Sequence, residues 1–218
     1  PYDRGIEMES GIGSWAESNA VCYSNSYTSL MTNRESGISA LATALTGWAP
    51  LWGLHIEDNR IPNVFVKVEA PMEDLADWSV LGDWIGMQLK PEWNLPWGMM
   101  PRIVGLPEGA DFEKRKALTA AAANYGCPML WADGLTVSAP EVSAYEGELV
   151  FSEDDLAQRY SDLAPSGTVD LVVIGCPQAS VGEARATAAA VRSRMELGQK
   201  IPDRRLWVFT SGYNYSLL

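Results

Sequence analysis

The chain has 218 residues, of which 47% are hydrophobic, and its 28 acidic and 16 basic residues give a formal net charge of −12. This composition excludes an intrinsically disordered chain, and the negative charge argues against nucleic acid and anionic membranes as partners because both would repel it. No apolar run reaches the roughly 18 residues of a membrane-spanning helix, and the three cysteines form no disulfide framework, so we expect a cytoplasmic protein.

The first half of the chain has few regular patterns. Residues 18–29 are polar with interspersed apolar residues, and Gly37–Thr46 predicts a helix that ends at Gly47. Val64–Val68 is typical of a strand, and a stretch with four tryptophans and several Gly and Pro residues follows it.

The second half alternates helices with short apolar strands. Helices are predicted for residues 110–125, for Glu153–Leu163 with Ser152 as N-cap, and for residues 181–197. Strands are predicted for residues 128–132, 168–175 and 205–210, and the last two are expected to be buried. This alternation predicts an α/β fold with a mostly parallel sheet, whose carboxyl edge would collect the ligands. We expect one domain, or two tightly joined lobes of about 1–105 and 106–218.

Three polar clusters could carry chemistry. Cys176 follows a predicted strand and precedes a predicted helix, so it could be a metal ligand, a nucleophile or a buried packing residue. A second cluster runs from Trp15 to Glu35 and could bind a carboxylate, a hydroxyl or a phosphate, although turns and helix caps use the same residue types. The third contains His55, the only histidine, which could be a general acid or base or a hydrogen-bonded structural residue. No nucleotide-binding loop or nucleophile elbow is present.

These clusters, in this order, resemble the large catalytic part of aconitase X proteins. The matching segments are PYDRG at 1–5, GSWAESNAVCYSNS at 13–26, TNRESGISALATALTGWAP at 32–50, GLHIEDNR at 53–60, DWSVLGDWIG at 77–86, GLP at 105–107 and VVIGCPQAS at 172–180. The resemblance implies an aconitase-like layered α/β/α fold with a mostly parallel sheet, here incomplete at both ends.

The resemblance also implies a function. Family members are iron-dependent hydro-lyases that dehydrate a 3-hydroxy acid such as mevalonate 5-phosphate or cis-3-hydroxyproline, with an iron–sulfur cluster or iron as Lewis acid. Carried over, Cys176 would be a metal ligand, and Glu17 and His55 would be catalytic. The substrate would be bound by Ser18, Asn19, Asn25, Thr32, Asn33, Arg34, Glu57, Asn59 and Arg60. A small swivelling subunit or domain would bring a catalytic Ser.

This chain departs from the family pattern at several points. The cysteine that usually precedes the Pro1-Tyr2 pair and a cysteine beyond residue 210 are not in the sequence, and we expect Cys22 and Cys127 to be packing residues rather than ligands. Gln178 stands where the family has His, and Ser29-Leu30-Met31 replaces Gly-Ala-Arg. We therefore expect activity from a larger protein or heteromer rather than from this chain alone, and we expect its exposed apolar surface to bind a partner or a second copy.

Two alternatives remain open. The chain could be a non-catalytic fragment or a diverged family member that lacks the cluster. Less favoured is a thiol enzyme that uses Cys176 with His55, which would require the two side chains to lie within hydrogen-bond reach.

Overall fold

The computed structural model describes residues 10–200 and 205–218. These residues form two compact units, one up to Asp162 and the other from Leu163 onward, and each is described by itself. The predicted lobes of about 1–105 and 106–218 do not coincide with these units. The PYDRG segment lies outside the described residues.

The first unit contains six strands and five helices among its described residues. The strands are β1 (Gly11–Trp15), β2 (Leu30–Arg34), β3 (Val64–Val68), β4 (Pro101–Val104), β5 (Trp131–Ala132) and β6 (Gly147–Phe151). The helices are α1 (Ser18–Tyr27), α2 (Gly37–Thr46), α3 (Leu75–Met87), α4 (Phe112–Asn124) and α5 (Glu153–Leu163), the last of which ends at the unit boundary. Two 3₁₀ turns, Gly53–His55 and Glu57–Asn59, follow α2.

The main sheet of this unit has the strand order β5-β4-β3-β6, and its strand pairs are all parallel. Alternate residues of β3 (Val64, Val66 and Val68) are buried, as expected for side chains that share one face of a strand. They belong to a core cluster with Trp78 and Leu81 of α3 and with Leu118 and Ala122 of α4. The predicted α/β class with mostly parallel strands is therefore confirmed.

Beside the main sheet, β1 and β2 form a second parallel pair, joined by α1 as the crossover helix. The predicted helix Gly37–Thr46 is confirmed as α2: the Ser36 hydroxyl accepts from the Ser39 N–H, and Gly47 ends the helix in the left-handed conformation. No residue of α2 is buried, and Ile38, Leu45 and Trp48 are 83%, 78% and 82% exposed. The stretch from Gly37 to Leu54 contains no charged residue.

The second unit consists of a two-stranded parallel sheet and two helices. Its elements are β7 (Val172–Ile174), α6 (Val181–Glu196), β8 (Leu206–Val208) and α7 (Gly212–Ser216). The predictions of buried strands at 168–175 and 205–210 were wrong in length and burial, since Val173 is 54% and Trp207 48% exposed. The apolar runs indicate strands that need cover on both faces, which the described residues of this unit do not supply.

Other predicted elements agree closely with the structure. Helix α5 has the predicted bounds, and the Ser152 hydroxyl accepts from the Asp155 N–H at its start. The helix predicted for 110–125 is α4, and the strand predicted for 128–132 is confined to β5. No helix among the described residues is long and apolar enough to cross a bilayer.

Candidate active site

A polar cleft lies where the parallel strands β1 and β2 end and helix α1 begins. Its volume is about 360 Å³, and it is lined by Ala16, Ser18, Val21, Arg34, Glu35 and Ser36. Crossover topology produces this juxtaposition, because the carboxyl ends of parallel strands and the start of the helix that joins them meet at one edge. Two predicted binding residues, Ser18 and Arg34, are thus brought together.

Glu17 caps the N-terminus of α1. Its carboxylate accepts hydrogen bonds from the backbone N–H of Asn19 (3.2 Å) and of Ala20 (2.8 Å). A negative side chain at this position is stabilised by the unpaired N–H groups and by the helix dipole. To act as a base, this exposed carboxylate must exchange these two hydrogen bonds for the substrate proton.

Arg34 and Glu35 bring opposite charges into the cleft. Arg34 is the last residue of β2 and is exposed, and Glu35 is half-buried. Among the described residues, neither side chain makes a hydrogen bond or an ion pair. Glu35 belongs to the second polar cluster predicted from the sequence, but neither Glu35 nor Ser36 was predicted to bind substrate, although their position directly after Arg34 at a strand end was a signal for it.

Two buried oxygens near this edge of the sheet lack hydrogen-bond partners among the described residues. They are Oδ1 of Asn19, a residue only 6% exposed, and Oγ of Ser14 in β1. Unpartnered buried polar atoms are uncommon, and a bound group or an ordered water is one explanation for them.

A buried network of hydrogen bonds fixes α1 behind the cleft. Asn25 exchanges two hydrogen bonds with the Thr32 main chain, Nδ2 to O (2.9 Å) and N to Oδ1 (3.0 Å), and also donates to the Pro128 carbonyl at 3.0 Å. Arg60 donates to Oδ1 (2.8 Å) and O (3.0 Å) of Asn25 and to the Leu54 carbonyl (3.3 Å). Burial lowers the pKa of the Arg60 guanidinium, and the charge of Glu57 opposes this effect. Substrate binding by Asn25, Thr32 and Arg60 stays a prediction, and it would require these contacts to open.

His55 and Asn33 anchor the loop that follows α2. The His55 ring places Nδ1 2.8 Å from the Pro50 carbonyl and Nε2 3.1 Å from the Gly13 carbonyl, and the residue is 2% exposed. Asn33 donates to the Trp52 carbonyl at 2.9 Å and accepts from the Leu54 N–H at 2.7 Å. Gly53 has a φ of 60°, and a β-carbon there would collide with Oδ1 of Asn33. The geometry favours a positioning role for His55, whose predicted catalytic role stays a prediction.

The remaining residues of this unit that were predicted to bind substrate lie elsewhere. Asn59 donates to the Gly53 carbonyl at 2.9 Å and lines a separate cleft of about 520 Å³ with Asp58, Asn63 and Trp97, at the amino ends of β3 and β4. Glu57 is exposed in the adjacent 3₁₀ turn. The structure therefore divides the predicted set between a cleft, a buried network and a second surface.

Cys176 has the predicted local setting. It is exposed, follows β7 and Gly175, and precedes the Ser180 cap of α6. Gly175 is required there, because its φ is 132° and a β-carbon would collide with Phe209 at the end of β8. Cys176 belongs to the second unit, so its convergence with Glu17, Asn19 and Arg34 stays a prediction.

The described residues by themselves do not fit an iron–sulfur cluster. Such clusters take three or four protein ligands, whereas no group of three or more His, Cys, Asp or Glu that could hold a metal ion occurs among residues 10–200 and 205–218. Cys22 and Cys127 are buried packing residues, as predicted. Burial and a hydrogen bond with Cys127 raise the pKa of the Cys22 thiol.

Comparison with known proteins gives consistent matches. The family model "Aconitase X first domain" matches residues 1–58, which include the cleft. The "Phosphomevalonate dehydratase large subunit" of Thermococcus kodakarensis is 37% identical over 184 residues, covering 83% of this chain and 45% of the relative. The "Cis-3-hydroxy-L-proline dehydratase" of Pseudomonas aeruginosa is 33% identical over 191 residues, covering 83% of this chain and 32% of the relative.

A solved structure also matches. The chain aligns with the crystal structure of Thermococcus kodakaraensis aconitase X (holo-form) with a TM-score of 0.81 and 31% identity, covering 98% of this chain and 53% of that one. This likeness confirms the predicted aconitase-like fold. The chain spans about half the length of the curated phosphomevalonate dehydratase subunits it matches.

Proposed function

We propose that this chain forms the core of the catalytic component of a hydro-lyase that dehydrates a 3-hydroxy acid. The reason is that the chain belongs to the aconitase X family. The observation that carries this proposal is the cleft at the ends of β1 and β2, which Arg34 and Ser18, the first residue of α1, both line. The relatives' names point to two substrate classes, a phosphorylated mevalonate and a hydroxylated proline.

The cleft residues can perform the first half of such a reaction. A guanidinium binds a carboxylate through two parallel hydrogen bonds, and Arg34 has no competing partner among the described residues. Ser18 adds a hydroxyl to the same cleft, and the neighbouring Asn19 has a buried side-chain oxygen without a partner among the described residues. Held in this way, the substrate would present the C–H bond next to its carboxylate to the start of α1.

Glu17 is the proposed base. Its carboxylate would take the proton from the carbon next to the substrate carboxylate, a double bond would form, and the C–O bond to the hydroxyl would break. The hydroxide would leave with the C–O electron pair and become water by taking up the proton that Glu17 gained, which returns Glu17 to its carboxylate form. His55 would hold the β1 end, the β2 end and the loop at Pro50 in register, and so act through the positions of Arg34 and Ser18.

We further propose that the complete enzyme contains iron, with Cys176 as one ligand and the other ligands outside the described residues. A smaller partner that carries a catalytic Ser would complete the site, and the relatives named "large subunit" support such a partner. The alternative is a non-catalytic fragment or a diverged family member that lacks the cluster.

The test is an elimination assay on the complete protein with its smaller partner, prepared without oxygen. Glu17→Gln should lower kcat by about 10²-fold or more, because it removes the base. Arg34→Lys should chiefly raise KM, because lysine cannot form the paired hydrogen bonds. Glu108→Gln, an exposed carboxylate in a loop of the same unit, is the matched control. Wild-type kcat in Glu17→Gln, with circular dichroism showing an intact fold, would contradict the assignment.

A further inference from the structure

A second cleft in the first unit shares no lining residue with the candidate active site. Its volume is about 520 Å³, within the range of roughly 300–1,000 Å³ that is usual for small-molecule sites. Asn63, Met100 and Glu146 line it, and each directly precedes a strand of the main sheet. Apart from Asp58 and Asn59, its lining residues lie outside the segments that resemble aconitase X proteins. The cleft is therefore a candidate binding site of its own.

Asn63 holds the walls of this cleft in place. Its Nδ2 donates to the Gly98 carbonyl (2.9 Å) and its Oδ1 accepts from the Met100 N–H (2.8 Å), which fixes the segment that follows Trp97. Its main-chain carbonyl accepts from the Glu146 N–H at 2.8 Å, which fixes the segment before β6. A ligand that enters a cleft with fixed walls loses less affinity to the ordering of side chains and loops.

Three carboxylates and no basic side chain line the cleft. Asp58 belongs to the second 3₁₀ turn, and Glu141 and Glu146 belong to the segment before β6. Among the described residues, none of the three side chains makes a hydrogen bond or an ion pair. A cleft lined by charges of one sign focuses the electric field and raises the local concentration of counter-ions. The cleft therefore attracts cations.

The cation that fits is organic rather than metallic. A metal ion needs several oxygen ligands that converge to within about 2.0–2.6 Å of it. Among residues 10–200 and 205–218, no group of three or more His, Cys, Asp or Glu is arranged to hold one. Carboxylates too far apart to share a single ion suit a ligand whose positive charges are themselves spaced apart.

The cleft also presents apolar and aromatic surface. Ile61 and Met100 line it, as does Trp97, whose half-buried ring is braced edge-on by Trp52 with ring centroids 4.8 Å apart. An aromatic ring attracts an ammonium group through its quadrupole, and methylene groups pack against apolar surface of this kind. A flexible methylene chain that carries ammonium groups meets both conditions.

We propose that this cleft binds a linear aliphatic polyamine. The ammonium groups pair with the three carboxylates, and the methylene chain lies against Met100 and Trp97. The site is separate from the cleft that contains Arg34, so the inference does not depend on the proposed elimination reaction.

Isothermal titration calorimetry of the purified chain with spermidine tests the proposal. Replacing Glu141 and Glu146 together by Gln should weaken binding about tenfold, because each exposed ion pair contributes up to roughly fivefold. Trp97→Leu, which leaves the net charge unchanged, should weaken binding about two- to fivefold. The matched control replaces Glu73 and Glu108, two exposed loop carboxylates of the same unit, by Gln and should leave the affinity within about twofold of wild type.

Three results would overturn the proposal. The first is no binding of spermidine by the wild-type chain. The second is an equal loss of affinity in the control and in the Glu141 and Glu146 variant, or an unchanged affinity in Trp97→Leu, since either result would assign binding to the overall negative charge. The third is competition by magnesium chloride that exceeds the effect of sodium chloride at the same ionic strength, which would assign the carboxylates to a metal ion.

Discussion

Replacing Arg60 by Met should destabilise the first unit by about 2–4 kcal/mol. The guanidinium belongs to a residue that is 8% exposed, and it donates three hydrogen bonds to neutral oxygens of Asn25 and Leu54. A hydrogen bond to a charged group contributes about 1.5–3 kcal/mol, so three of them exceed the expected loss. In the wild type, burial of the Arg60 charge costs several kcal/mol, because the guanidinium makes no ion pair with a carboxylate among the described residues. The Met variant avoids this cost, so the net loss of stability is smaller than the sum of the three hydrogen bonds.

Urea unfolding followed by tryptophan fluorescence measures this loss, since eight of the nine tryptophans lie before residue 163. With a slope of about 2 kcal/mol per molar urea, the midpoint should fall by about 1–2 M. Arg102→Met is the matched control: its partner is Asp133, at 3.0 Å, and the side chains are 30% and 40% exposed, so the loss should be about 1 kcal/mol or less. Equal losses in the two variants would refute the argument that the buried network holds α1 in place.

Three further outcomes follow from the structure. Burial raises the pKa of the Asp155 side chain, but hydrogen bonds from Ser152 and Trp84 outweigh burial and leave the pKa below its ordinary value of 3.8. Asp155→Asn should therefore lower the free energy of unfolding by about 0.5–2 kcal/mol at pH 7. In a stability titration, the difference from wild type should vanish as the pH falls below about 4, and a difference that persists would contradict the cap assignment. Gly82→Ala should lower the free energy of unfolding by about 1–3 kcal/mol, because the added β-carbon would lie 2.9 Å from Cβ of Ala121 and collide with the main chain of α4. Gly37→Ala, where the added β-carbon meets open space, should cost nothing. Similar melting temperatures for the two variants would contradict the close packing of α3 on α4. The self-association expected from exposed apolar surface should weaken in Leu45→Glu, and sedimentation velocity that shows no concentration dependence in the wild type would dismiss it.

Local signals account for the elements that the sequence predicted well. Helix α2 ends at a glycine in the left-handed conformation, and α5 begins at a serine cap, so both carry their boundaries in a few adjacent residues. Helix α1 was not predicted, because Ser, Asn and Tyr favour turns or pay side-chain entropy in helices. Its formation depends on packing against α4 and on Arg60, which are distant in sequence.

The site was predictable only in part, for a related reason. The sequence places Ser18 and Arg34 at the ends of adjacent elements, and the crossover brings them to one cleft. A polar residue that will bond to main-chain atoms looks the same in sequence as one that awaits a ligand, so Asn25 and His55 could not be separated from Arg34.

The most direct test of the account is the iron and acid-labile sulfide content of the complete protein, purified without oxygen together with any chain that accompanies it. The account predicts both iron and sulfide, and it predicts that Cys176→Ser loses them while circular dichroism shows an unchanged fold. A protein that contains no iron under these conditions, or a Cys176→Ser variant with normal iron content, would contradict it.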